Sequence, residues 1–134
     1  MGIKLVAFDR SESSRKALNQ AVALMKPDDE LFLLMVVPSA VITEFADVPP
    51  DVTLSSAQQL VNAELEKLKQ MGVKALGIVK AGDFAEEILK MSSEMGVDLI
   101  VIGYHGLSKV GRFAVGAIAE QVYKRAERPV LIVK

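Results

Sequence analysis

Apolar residues fall into five short runs, separated by longer stretches in which they recur every three or four positions. The runs cover residues 3–8, 31–37, 75–80, 98–102 and 129–133. A three- or four-residue spacing is typical of an amphipathic helix with one buried face. The second run reads LFLLMVV and does not alternate with polar residues, as expected for a strand with both sheet faces covered by helices. The pattern therefore predicts strands alternating with helices.

The ends of the predicted helices are marked by turn residues. Gly72 and Gly96 follow the second and third helical stretches, and glycine is the usual residue just past a helix C-terminus. Residues 38–53 have no clean period. A connection of this length is usually functional, flexible or occupied by a short helix, and these alternatives stay open.

Helices between apolar strands require right-handed crossovers and a parallel sheet. We therefore predict an α/β fold with one doubly wound, five-stranded parallel sheet. If the first and fourth strands are neighbours, the strand order is 3-2-1-4-5. Ligands of such sheets bind outside the carboxyl ends of the strands, where the winding reverses. The segments after the first and fourth strands then face one crevice.

Composition limits the chemistry. The 134 residues suit a single domain spanning 1–134. Sixteen basic and seventeen acidic residues leave no positive excess for nucleic acid or an anionic membrane. The absence of cysteine excludes disulfides, thiolate metal sites and cysteine nucleophiles, and a single histidine, His105, makes a metal centre improbable. With no signal peptide and no run long enough to span a bilayer, we expect a cytoplasmic protein.

A glycine-rich stretch, GYHGLSKVGRFAVGA, lies between the fourth strand and the last helix at residues 103–117. Such a loop exposes backbone N–H groups, and the start of the following helix adds partial positive charge, which suits a phosphate chain. A plain turn is the alternative. The stretch lacks the Gly-Lys-Ser/Thr ending of a Walker loop and the spacing of the dinucleotide fingerprint. Its notable residues are Gly103, Gly106, Gly111, Gly116, Lys109 and Arg112.

Polar residues after the first strand have two interpretations. Asp9 contacts a ligand, or it begins a capping box with Glu12 at the start of the first helix; both roles are compatible. The serines that follow, Ser11, Ser13 and Ser14, are expected to be caps and solvated groups. In the glycine stretch, His105, Lys109 and Arg112 are candidate phosphate contacts. Lys109 and Arg112 are the better ones, because a near-neutral histidine is a poor phosphate anchor, and a tolerated loop residue is the alternative interpretation of His105.

The spacing glycine, two residues, glycine, nine residues, glycine is formed by Gly103, Gly106 and Gly116. Together with VAFDRSESSRKAL near the start and PVLIV at the end, it closely resembles the universal stress protein family over essentially the whole chain. The resemblance implies a fold of the adenine-nucleotide α-hydrolase type. It also implies a bound adenine nucleotide, such as ATP with or without Mg²⁺, and a dimer.

The resemblance also implies roles for individual residues. Ala7 and Val36 would line the adenine, and Asp9 would meet the base or the ribose. Backbone groups around the phosphates would come from Gly103, Gly106, Gly116, Ala117 and Ile118. The family's ATP-binding pattern has Ser or Thr after the third glycine and often again two residues later, where this chain has Ala117 and Ala119. Loss of one hydroxyl donor to phosphate weakens binding by roughly 1.5–3 kcal/mol.

The last strand is expected at an edge of the sheet. It is uncharged, and unprotected edges pair with other strands. An antiparallel homodimer through this strand is therefore predicted, and the resemblance implies one as well. The interface residues would be Val130, Leu131, Ile132 and Val133.

The sequence favours a nucleotide-binding switch or sensor of the stress response over a committed enzyme. A slow ATPase is the second hypothesis, although neither His105 nor a carboxylate of the glycine stretch is clearly placed as a general base. The third is a nucleotide-free dimerisation module that binds an unidentified protein, with Ala117 and Ala119 marking lost phosphate binding.

Overall fold

A computed structural model describes residues 2–37, 54–104 and 117–134. Strands and helices alternate along these segments, as the hydrophobic pattern predicts. The strands are β1 (Ile3–Ala7), β2 (Glu30–Val37), β3 (Ala75–Ala81), β4 (Leu99–Gly103) and β5 (Val130–Val133). The helices are α1 (Glu12–Ala23), α2 (Leu54–Gln70), α3 (Phe84–Met95) and α4 (Ala117–Arg125).

The five strands form one parallel sheet in the order β3-β2-β1-β4-β5. This confirms the predicted fold class and strand order. β1 is central, with Lys4 aligned with Leu31 of β2 on one side and with Leu99 of β4 on the other. The winding reverses between β1 and β4, so their carboxyl ends lie side by side.

The helices cover both faces of the sheet and divide the core into two layers. α1 and α2 pack on one face, and α3 and α4 on the other. The neighbouring residues Leu33 and Leu34 of β2 point to opposite faces, and both are fully buried. This two-sided burial explains why the β2 sequence has no alternation.

Helix ends follow local sequence signals. Gly96 ends α3 and Gly72 follows α2, with φ of 60° and 79°, values that glycine adopts without strain. Three large apolar residues of the helical stretches are more than half exposed. They lie at or just past helix ends, or beside the inward-facing residue of a short helix: Leu54, Met71 and Tyr123.

An ion pair joins the two helices on one face of the sheet. Both guanidinium nitrogens of Arg15 in α1 donate to the carboxylate of Glu64 in α2, each at 2.6 Å. The Arg15 guanidinium also lies 4.9 Å from the centre of the Phe8 ring. Its hydrogen bonds hold the pKa of Glu64 below the usual value despite burial.

A buried carboxylate, Asp29, lies at the amino-terminal ends of the strands. Asp29 accepts hydrogen bonds from the Lys26 N–H at 2.9 Å, the Lys4 Nζ at 3.0 Å and the Gly2 N–H at 2.8 Å. These contacts, the Lys26 N–H first, lower the pKa of Asp29 to about 2. Asp29 thereby ties the start of β1 to the turn before β2.

Replacing Asp29 by asparagine is expected to change the acid dependence of stability. A lowered carboxylate pKa stabilises the folded chain above the ordinary value of 3.8, and this stabilisation is lost as the pH falls towards about 2. Asp29→Asn has no such charge to lose. Urea unfolding at pH 7, 4, 3 and 2 should show a steeper acid loss in the wild type than in the variant. Parallel losses would contradict the assignment.

Candidate functional site

The carboxyl ends of β1 and β4 form the centre of the candidate site. Val6 and Val101 are aligned in the ladder, and each strand ends within two residues of them. The chain then leaves β1 through Asp9 and leaves β4 through Gly103. The structure thus brings together two segments that the sequence placed at one crevice.

Asp9 is held by the first turn of α1. Its Oδ1 accepts hydrogen bonds from the Ser11 N–H and the Ser14 hydroxyl, each at 2.9 Å, and its own N–H donates to Ser14 Oγ at 3.2 Å. The predicted Asp9–Glu12 capping box is wrong, because Ser11 is the N-cap and accepts from the Ser14 N–H at 3.1 Å. Ser14 is also fully buried rather than solvated. Both hydrogen bonds donated to the Asp9 carboxylate by described residues end on Oδ1.

The turn from β1 into α1 requires an unusual backbone. Arg10 has a φ of 70°, and in the described part of the chain it is the one non-glycine residue with a positive φ. This left-handed conformation lets the Asp9 carboxylate reach forward to the Ser11 N–H. Residues other than glycine adopt it at an energetic cost, and such residues concentrate at binding sites.

Gly103 ends β4 in close contact with α1. A Cβ atom on this glycine would clash with Ser13 Oγ and would lie 2.7 Å from both the carbonyl carbon and the carbonyl oxygen of Ser13. Two of these three atoms belong to the backbone, so the helix itself blocks a side chain. Glycine is required here because β4 and α1 approach so closely.

Ala7 and Val36 form an apolar floor beside Asp9. Both are buried and belong to the core layer under α3 and α4. The Phe8 N–H donates to the Leu34 carbonyl at 2.9 Å, which ends the contact between β1 and β2. Alternate residues of a strand face the same neighbour, so Val36 directs its N–H and C=O past the end of β1.

Comparison with known proteins identifies the family. A sequence model of the Universal stress protein family matches residues 4–134. The chain belongs to the universal stress protein family. Universal stress protein YxiE of Bacillus subtilis is 37% identical over an alignment of 144 positions, gaps included, which covers 97% of each chain.

Solved structures of universal stress proteins share the fold. The structure of MJ0577, a universal stress protein of Methanocaldococcus jannaschii, has a TM-score of 0.83 at 29% identity and covers 99% of this chain and 95% of its own. A universal stress protein of Archaeoglobus fulgidus in complex with dAMP has a TM-score of 0.70 at 18% identity, over 100% and 98% of the two chains. At that identity the second likeness shows the fold alone.

Two alanines, Ala117 and Ala119, lie in the first turn of α4. α4 begins at Ala117, and Ala119 is buried in the core layer shared with Val122. Position 119 of this universal stress protein therefore serves packing. Ile118 is half-buried against the same layer. The other predicted residues of the glycine stretch lie outside the described residues: His105, Gly106, Lys109, Arg112 and Gly116.

Residues 2–37, 54–104 and 117–134 contain neither a metal-binding cluster nor a membrane-spanning helix. No three histidine, cysteine or acidic side chains are grouped there so as to hold a metal ion. None of the helices in these segments has the length and apolar character needed to cross a membrane. Sequence reasoning missed how α1 supports Asp9. Ser14 binds the Asp9 carboxylate, and Arg15 lies over Phe8, the residue before Asp9. The apolar run 3–8 signals only that Phe8 is buried, and no spacing signals the contacts of the two polar residues.

Adding a methyl group at Gly103 tests the contact with α1. Gly103→Ala is expected to lower the free energy of unfolding by roughly 1–3 kcal/mol, the usual cost of overpacking, as measured by urea denaturation. Adding Ser13→Ala to this variant removes only Oγ and should not restore stability, because the backbone atoms at 2.7 Å remain. Full rescue by the second change would show that the backbone contact is unimportant.

Proposed function

We propose that this universal stress protein binds an adenine nucleotide, ATP in particular, at the carboxyl edge between β1 and β4. It acts in the cytoplasm as a nucleotide-dependent switch of the stress response. The observation that carries this proposal is the Asp9 carboxylate, fixed through Oδ1 at the point where the winding reverses. Open parallel sheets bind their ligands at this point.

The floor beside Asp9 suits an adenine ring. Ala7 and Val36 are apolar and nearly fully buried, and the Val36 N–H and C=O provide one donor and one acceptor side by side. The hydrogen-bonding edge of adenine carries an acceptor at N1 and a donor at N6. Guanine reverses these two, with a donor at N1 and an acceptor at O6. In a pose that sets the six-position substituent of the base against the Val36 carbonyl, this polarity matches adenine and not guanine.

With the adenine ring on Ala7 and Val36, the ribose would lie at Asp9 and the phosphates at the glycine stretch. Asp9 Oδ2 accepts a hydrogen bond from a ribose hydroxyl while Oδ1 stays with Ser11 and Ser14. The phosphates, with Mg²⁺ when present, lie at the glycine stretch and the N-terminus of α4, where free N–H groups favour anions. The dAMP complex of the Archaeoglobus fulgidus protein supports the ligand class. Contacts would come from Gly103, Gly106, Gly116, Ala117 and Ile118, with His105, Lys109 and Arg112 nearby.

A homodimer through β5 is the second part of the proposal. The Pro129 and Val133 carbonyls accept from the Ile100 and Tyr104 N–H groups, so odd-numbered residues of β5 face β4. Val130 and Ile132 then direct their backbone groups outward. A twofold axis at Leu131 would pair Val130 of one copy with Ile132 of the other.

The opposite edge of the sheet is less suited to pairing. β3 is the other edge strand and carries a half-buried lysine, Lys80, next to its last residue. Inward-pointing charges on an edge strand discourage pairing with a second chain. β5 consists of four apolar residues without such a charge. This contrast supports β5 as the dimer edge.

Asp9→Asn tests the nucleotide site. We expect ATP binding to weaken about tenfold or more, because the amide is a weaker acceptor for the ribose hydroxyl than the carboxylate. Isothermal titration with ATP, ADP and AMP, with and without Mg²⁺, measures the change. Asp98→Asn is the matched control, since that carboxylate binds the Ile3 N–H at the opposite edge. No heat from the wild type at high micromolar nucleotide would refute the proposal, and equal affinities for all three proteins would refute the role of Asp9.

Ile132→Lys tests the dimer. A charged side chain in β5, where Ile132 packs half-buried against the core layer, should shift the molar mass at micromolar concentration from dimer to monomer. Light scattering after size exclusion measures the mass, and circular dichroism checks that the variant is folded. Leu76→Lys changes an exposed residue of the other edge strand and should leave the mass unchanged. A wild-type monomer would contradict the proposal directly.

A further inference from the structure

Arg10 is an exposed cation just past the carboxyl end of β1, where the candidate site lies. It directly follows Asp9 and directly precedes Ser11, the N-cap of α1. Its backbone is in the left-handed region, with φ of 70°, a conformation that glycine would adopt at lower cost. The position thus keeps a long cationic side chain despite an unfavourable backbone.

The guanidinium of Arg10 has no protein partner in the described part of the chain. Glu12, the nearest acidic side chain on α1, lies 4.0 Å from Lys16, one turn further along the helix. The Asp9 carboxylate is bonded through Oδ1 to Ser11 and Ser14. Neither carboxylate forms an ion pair with Arg10, so no acidic group among the described residues competes with a ligand for this cation.

The surroundings of Arg10 indicate what kind of ligand it meets. Asp9, beside it, is the proposed ribose contact, and Gly103, where the glycine stretch leaves β4, packs against Ser13 of the same helix turn. A nucleotide held by Asp9 would extend its phosphates along this edge. Guanidinium groups bind phosphate oxygens through two parallel hydrogen bonds.

We propose that Arg10 binds the terminal phosphates of the nucleotide and makes the protein prefer a nucleoside triphosphate over the monophosphate. This inference rests on the proposed nucleotide site. It adds a residue that distinguishes nucleotides by the length of their phosphate chain. Asp9 and Val36 contact parts that ATP and AMP share. Arg10 contacts the part in which they differ.

Isothermal titration with ATP and with AMP, at one fixed ionic strength, tests the proposal on the full-length protein. Arg10→Gln should bind ATP about tenfold more weakly than the wild type and AMP within about twofold. Arg10→Lys keeps the charge without the two-pronged geometry and should fall between them. Arg128→Gln removes the same charge at the opposite edge, next to Pro129, and should match the wild type for both ligands.

A second variant separates ligand binding from folding. Arg10→Gly relieves the left-handed backbone, so it should lose ATP affinity as Arg10→Gln does while its urea midpoint is no lower than that of the wild type. Equal losses for ATP and AMP, or unchanged ATP affinity in both variants, would overturn the role of Arg10 while leaving the nucleotide site intact. A wild type that binds neither nucleotide would instead refute the site itself, and the role of Arg10 with it.

Discussion

The organisation of the molecule depends on the parallel pairing of its strands. Successive parallel strands must be joined by crossovers, and in the described segments these crossovers carry helices that cover both faces of the sheet. Where the winding reverses, α1 leaves β1 on one face and α4 follows β4 on the other. The carboxyl ends of β1 and β4 are left between two diverging helices. Asp9 and Gly103 therefore meet at one edge although they are far apart in sequence.

Contacts from the helical layer fix this edge. The Arg15–Glu64 ion pair joins α1 to α2, and Arg15 also lies over Phe8, the residue before Asp9. Ser14, one residue before Arg15, binds the Asp9 carboxylate. Ser14 and Arg15, in one turn of α1, thus contact α2, the end of β1 and the Asp9 carboxylate, which is the candidate ligand-binding group. A carboxylate held in this way loses little conformational freedom when it meets a ligand, which lowers the cost of binding.

Sequence patterns predicted the parts of the structure that follow from local periodicity. The five strands, the four helices and the strand order are confirmed, because two-sided burial and helical spacing both leave clear traces in the order of apolar residues. Periodicity does not show where a helix lacks a neighbour: Leu54, Met71 and Tyr123 follow the helical spacing, yet each is more than half exposed. The capping of α1 was wrong for a related reason: Asp9 binds the Ser11 N–H across Arg10, whose φ is positive, and no spacing signals that local geometry.

The two edges of the sheet differ, and the difference bears on how far an assembly of this chain can grow. A protein with two equally open edges adds copies without limit, as fibres do. Here β5 is apolar throughout, while β3 carries Lys80 near its end. Two chains joined at β5 would present only β3 at their outer rims, so addition stops at a closed, finite sheet. Lys80 would then limit the assembly to two chains and prevent aggregation through β3.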